Sequence, residues 1–77
     1  MRTFKEIGNE IKSVWKKPSP YAMPYLDAMC EIDSTDKDAS YYYDSAESVV
    51  LYFLANASVF RGEDAKRIKA ELKSMIK

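Results

Sequence analysis

The sequence predicts an all-α fold: a small single-domain bundle of about four short helices, with the third helix at its centre. Three observations predict it. Apolar residues recur at helical spacing in several separate stretches, capping residues open some of them, and the breaks between them are proline-rich or polar. A chain of 77 residues makes one domain, residues 1–77. Such a domain buries only about 60% of the surface its unfolded chain exposes, so any function must fit on a small surface. A hydrophobic content of 47% with 13% aromatics is ample for a packed core.

The first helix is expected over about residues 4–16. Thr3 and Glu6 make a capping box, and Phe4, Ile7, Ile11, Val14 and Trp15 fall on one face. Gly8 weakens it slightly, Lys12, Lys16 and Lys17 suit its C-terminal end, and Lys17-Pro18-Ser19-Pro20 stops it. A second amphipathic helix is expected over about 24–32, carrying Leu26, Met29 and Ile32. Pro24 sits in its first turn, or residues 20–23 form a separate tight turn before it.

Residues 33–40 (DSTDKDAS) are polar and acidic and read as a loop. Asp44 and Glu47 then offer a capping arrangement for a third helix over about 45–57, which is apolar nearly all round and for that reason expected to be the most buried. The tyrosine run and Val49 to Phe53 also suit a strand, but no other strand candidate exists to pair with it. After a turn at 58–62, Glu63 and Asp64 open a fourth helix over about 63–76. Its apolar stripe is Ala65, Ile68, Leu72, Met75 and Ile76, Lys69, Lys73 and Lys77 line its solvent face, and Glu63 pairs with Arg67.

Composition excludes several kinds of chemistry. With no histidine, the usual proton shuttle near neutral pH and the commonest zinc ligand are missing. Cys30 is the only cysteine; it forms no internal disulfide, and a packed small residue in a reducing, cytoplasmic setting is the natural reading. Asp36 and Asp38 lie in a loop with no apolar shelter to raise a pKa for acid–base work. No catalytic residues, cofactor or metal site, and no enzyme activity, are therefore expected. The longest apolar run, Val49 to Ala55, is far shorter than a membrane span.

Twelve basic and twelve acidic residues give a formal charge of zero, but the distribution is uneven. Residues 1–19 sum to +3, residues 20–47 to −6 and residues 48–77 to +3. The simplest expectation is that these pieces attract one another within the fold.

The stretch from Ser48 to Lys73, with Pro24-Tyr25-Leu26-Asp27-Ala28-Met29, resembles small uncharacterised proteins of tailed bacteriophages and prophages. The likeness runs from Pro24 onward. Its most specific part is Phe53-Leu54-x-Asn56-Ala57 with Phe60-Arg61-Gly62, where the group more often has tryptophan in place of Phe60. The resemblance implies an accessory product acting in a bacterial cytoplasm, and it brings no known activity or functional residues.

Three surfaces compete for a function. Asp36, Asp38, Tyr41, Tyr42, Tyr43 and Asp44 form an acidic, aromatic cluster suited to a basic surface on a host or phage protein, since tyrosine offers large contact area at little rotamer cost. Lys66, Arg67 and Lys69 on the last helix suggest nucleic-acid binding, which Glu63, Asp64 and the lack of a basic excess oppose. Residues 36–47 place oxygens at EF-hand calcium spacing, but Tyr41 stands where that loop needs glycine. Asn56, Phe60, Arg61 and Gly62 read as a structural turn: Asn56 bonds free carbonyls, Phe60 staples the helices it joins, and Arg61 reaches the acidic middle. Protein binding is the favoured function, nucleic-acid binding the alternative, and homodimerisation through surplus apolar surface on the first or last helix a further expectation.

Overall fold

A computed structural model describes all residues from Met1 to Lys77. It contains four helices, α1 (Phe4–Val14), α2 (Met23–Met29), α3 (Ala46–Ala55) and α4 (Glu63–Met75), and two short strands, β1 (Ser40–Tyr41) and β2 (Asp44–Ser45). The fold is thus mostly helical but not purely α. The strands pair antiparallel, Ser40 with Ser45 and Tyr41 with Asp44, leaving Tyr42 and Tyr43 as a two-residue turn. This hairpin was missed because its strands are two residues long, too short to show any alternation of polar and apolar positions.

The Thr3 capping box forms, with the Glu6 amide donating to Thr3 Oγ1 at 3.1 Å and the Thr3 amide donating to Glu6 Oε1 at 2.9 Å. The remaining free amides at the start of α1 are taken by chain leaving α2: Phe4 donates to the Ser34 carbonyl and Lys5 to that of Ile32, each at 2.9 Å. The same stretch caps α3. Ala46 donates to the Ala39 carbonyl at 2.8 Å, Glu47 to that of Lys37 at 2.9 Å, and Ser48 to Ser45 Oγ at 3.2 Å. Ser45, not Asp44, is therefore the cap. The acidic loop is tied at both ends to helix N-termini, which fixes where the hairpin emerges.

Helix ends differ from expectation for local reasons. α1 stops at Val14 because Trp15 takes an extended backbone, φ −91° and ψ 98°. A tight turn at Ser19–Ala22 precedes α2, with the Ala22 and Met23 amides both donating to the Ser19 carbonyl. Beyond Met29 the chain tightens, Glu31 bonding Ala28 and Ile32 bonding Met29. Gly62 starts α4 at φ 109°, a conformation that suits glycine.

Nineteen apolar residues form one buried cluster, and no polar or charged side chain is buried with them. α2 lies between α1 and α3, while α4 packs chiefly on α1. α3 is therefore not the hub. It buries Ala46, Val49, Val50 and Phe53 but leaves Leu51 and Tyr52 about half exposed, at 51% and 53%. Trp15 joins the layers, with its indole edge on Phe53 at 6.2 Å and stacked on Phe60 at 4.9 Å.

No helix is long and apolar enough to cross a membrane.

Candidate partner-binding surface

The hairpin positions the acidic, tyrosine-bearing cluster. Tyr41 is half-buried, and its hydroxyl donates to Glu31 Oε2 at 2.7 Å, tying β1 to the chain that leaves α2. That bond stabilises the protonated phenol and pushes the Tyr41 pKa up to about 12. Tyr42 sits edge-on to Tyr41 at 4.8 Å and takes a left-handed backbone, φ 56°. It is the only non-glycine residue of the chain with positive φ. A tyrosine there is strained, and such strain is found at contact and functional sites more than elsewhere.

At the hairpin tip, Tyr42 is 83% exposed and Tyr43 is fully exposed. Of the three consecutive tyrosines, two therefore face solvent and one is used internally. Asp36, Asp38 and Asp44 are all exposed. Asp36 Oδ1 accepts the Asp38 amide at 2.9 Å, which shapes the loop and leaves the second oxygen of Asp36 and both of Asp38 without a hydrogen-bond partner in the chain.

The ion pairs explain why this surface keeps its charge. Arg2 pairs with Glu10 and Glu71, and Arg67 pairs with Glu10 and Asp64, in one network between α1 and α4. Only Lys12 with Asp27 joins a basic end to the acidic middle. The expectation that the middle is neutralised by the ends is corrected: Glu31, Asp33, Asp36, Asp38, Asp44 and Glu47 have no cationic partner. The ends satisfy each other instead, because α4 packs on α1. Arg67 pairs with Asp64, one turn back, and not with Glu63.

The turn after α3 makes contacts that differ from those expected. Asn56 Nδ2 donates to the Tyr52 carbonyl at 2.9 Å and closes the end of α3. Phe60 stacks on Trp15 and so staples the turn to α1. Arg61 does not reach the acidic middle; its Nε lies 3.4 Å from the Ser58 carbonyl and its guanidinium has no carboxylate partner. Lys69, expected on a solvent face, is half-buried and caps this turn. Its ammonium donates to the Ala57 carbonyl at 2.8 Å and the Phe60 carbonyl at 2.7 Å. Burial, helped by Lys73 and Arg61, pushes its pKa below the usual lysine value. A lysine nearly two turns into a helix carries no sequence mark of such a role.

Residues 36–47 do not take an EF-hand form. Ser40 and Tyr41, its fifth and sixth positions, are strand, and no three acidic or cysteine side chains converge on one point. Cys30 is half-buried against Gly8, and burial pushes its thiol pKa up, away from the reactive thiolate. A shallow depression of about 380 Å³ lies at the start of α4, lined by Phe60, Arg61, Gly62, Glu63, Ala65, Lys66 and Lys69.

No known protein family, curated protein or solved structure matches this chain.

Proposed function

We propose that this chain is a non-enzymatic accessory protein that docks on a basic surface of a larger protein through its hairpin tip. Tyr42 and Tyr43 supply the apolar contact area, and Asp36, Asp38 and Asp44 supply the charge. Tyr41 belongs to the same cluster as its support, holding the hairpin against Glu31. The resemblance to phage and prophage proteins from Pro24 onward supports a host or phage protein in a bacterial cytoplasm as the partner.

One observation carries the reading. In a chain of zero net charge, a strained turn presents two tyrosines to solvent beside carboxylates that have no cationic partner. The two-residue turn itself calls for a positive φ, but glycine or asparagine would meet that need without strain, and here two exposed tyrosines stand in the turn instead. Aromatic anchors rimmed by charge are the usual composition of a binding hot spot.

The test is an affinity capture from bacterial lysate, with and without nuclease, using the wild-type chain and a Tyr42→Ala, Tyr43→Ala, Asp38→Ala variant. A nuclease-resistant partner lost in the variant supports the reading. Equal capture by both chains sinks it.

A second reading, nucleic-acid binding through α4, has the depression with Arg61, Lys66 and Lys69 in its favour. Against it, Arg67 is held by Glu10 and Asp64, and Lys69 by two carbonyls. Capture abolished by nuclease would favour this second reading.

A further inference from the structure

The acidic segment between α2 and α3 is held by hydrogen bonds more than by burial. Ile32 and Ala46 are buried, and between them, from Asp33 to Ser45, no residue is. Ala39 and Tyr41 lean on the core without being enclosed by it. The bonds interlock: Ser34 Oγ accepts the Asp36 amide at 3.0 Å, Asp36 Oδ1 accepts that of Asp38 at 2.9 Å, and the Asp36 carbonyl accepts that of Ala39 at 3.0 Å. The hairpin follows at once, Ser40 and Tyr41 pairing with Ser45 and Asp44. The Tyr41 hydroxyl then reaches back to Glu31, so one bond joins the hairpin to the chain just before the segment begins.

Two helices depend on this segment. The carbonyls of Ile32 and Ser34 take the Lys5 and Phe4 amides of α1, and those of Lys37 and Ala39 take the Glu47 and Ala46 amides of α3. First-turn amides have no partner inside their own helix, so these four are protected by the segment. The Glu6 amide, in the same turn of α1, is held by Thr3 Oγ1 instead.

We propose that residues 33–45 form a strap that opens and closes as one unit, uncapping α1 and α3 together when it opens. Regions poor in buried apolar contacts open locally, at less cost than global unfolding, and here the overlapping bonds leave no stretch where half the strap lifts alone. Tyr42 and Tyr43 lie at its apex. On the docking reading above, a partner that grips the closed tip draws the strap shut and tightens the starts of both helices, because a ligand shifts an equilibrium toward the state it binds. That consequence rests on the docking reading; the strap itself does not.

Native-state amide exchange of the full chain, followed by nuclear magnetic resonance with no partner present, tests the strap apart from the docking. The Phe4, Lys5, Ala46 and Glu47 amides should exchange through one opening, with protection factors within about threefold of one another and at least about tenfold below those of Ile11 and Ile68 in the middle of α1 and α4. Tyr41→Phe removes the bond to Glu31 near the α3 end and should lower all four by a common factor of about five to ten. Ser34→Ala, at the α1 end, should lower Ala46 and Glu47 as much as Phe4 and Lys5, by about threefold or more. The Glu6 amide should not respond to either variant, which separates opening of the strap from fraying of α1. Loss of protection confined to the end that carries the substitution, a Glu6 amide that follows Phe4 and Lys5, or four amides as protected as Ile11 and Ile68 would overturn the inference.

Discussion

Replacing Gly8 by alanine measures how tightly α1 and α2 are pressed together. A Cβ at position 8 would meet Cys30 Sγ at 2.7 Å and the Cys30 backbone nitrogen at 3.3 Å. Two effects oppose each other. Alanine is favoured over glycine in a helix interior by about 1 kcal/mol, and overpacking a close contact costs about 1–3 kcal/mol. The sulfur sits on a short side chain with a single rotor, and the backbone behind it is close as well, so the upper part of that range applies. Gly8→Ala should destabilise the protein by about 1–2 kcal/mol net. For a domain of this size, each kcal/mol lowers Tm by about 4–8 °C. Urea titration read by tryptophan fluorescence and thermal melts supply the measurement, with Cys30→Ala as the second arm of a double-mutant cycle. Removing the sulfur leaves the backbone contacts at 3.3 and 3.5 Å, so in that background Gly8→Ala should be near neutral or stabilising, a coupling of about 1 kcal/mol or more. Stabilisation of the wild type by the full propensity gain would refute the close contact.

Further perturbations test the other joints. Lys69→Met removes both donors to the Ala57 and Phe60 carbonyls and should cost about 1–3 kcal/mol in chemical denaturation, although position 69 reads as surface in the sequence. The Tyr41 phenol should ionise near pH 12, above the ordinary value of 10.0, in an ultraviolet titration, and Glu31→Gln should bring it back down. Because the folded value is the higher one, this bond stabilises fully below pH 10.0 and is lost as pH rises through about 12. Arg67 and Arg2 hold the Glu10 carboxyl below its ordinary 4.5, so its contribution is complete above that value and lost as pH falls through the depressed one. Glu10→Gln should flatten that acid limb of the stability profile and cost about 1 kcal/mol at low salt.

What the sequence made legible was whatever repeats along a helix. The Thr3–Glu6 box, the stripe of α1 and the stripe of α4 all appear where their spacing places them, because each depends on neighbours three or four residues away. The hairpin at Ser40–Ser45 depends instead on pairing across two residues and on a tyrosine held at positive φ, which no local pattern announces. The place of α3 was misjudged for a related reason. An apolar helix in a chain this small has too few neighbours to cover every face, and which face stays open is decided by α2 and the hairpin. The candidate site was legible in composition and not in contacts: Tyr42, Tyr43, Asp36, Asp38 and Asp44 are exposed, while Tyr41 is drawn into a bond with Glu31. Charge sums along the chain suggested that the acidic middle would be neutralised. That outcome depended on α1 and α4 being apart, and their contact instead lets Arg2, Glu10, Arg67 and Glu71 pair among themselves.

The central claim is that the hairpin tip is kept unsatisfied in the fold so that it can bind. The most direct measurement compares two properties of the Tyr42→Ala, Tyr43→Ala, Asp38→Ala variant: its folding stability, and its capture of a nuclease-resistant partner. The account predicts that stability stays within about 1.5 kcal/mol of wild type, the size of the one edge-to-face contact that Tyr42 makes with Tyr41, while capture is lost. A variant that binds as the wild type does, or one that loses several kcal/mol of stability, would contradict it.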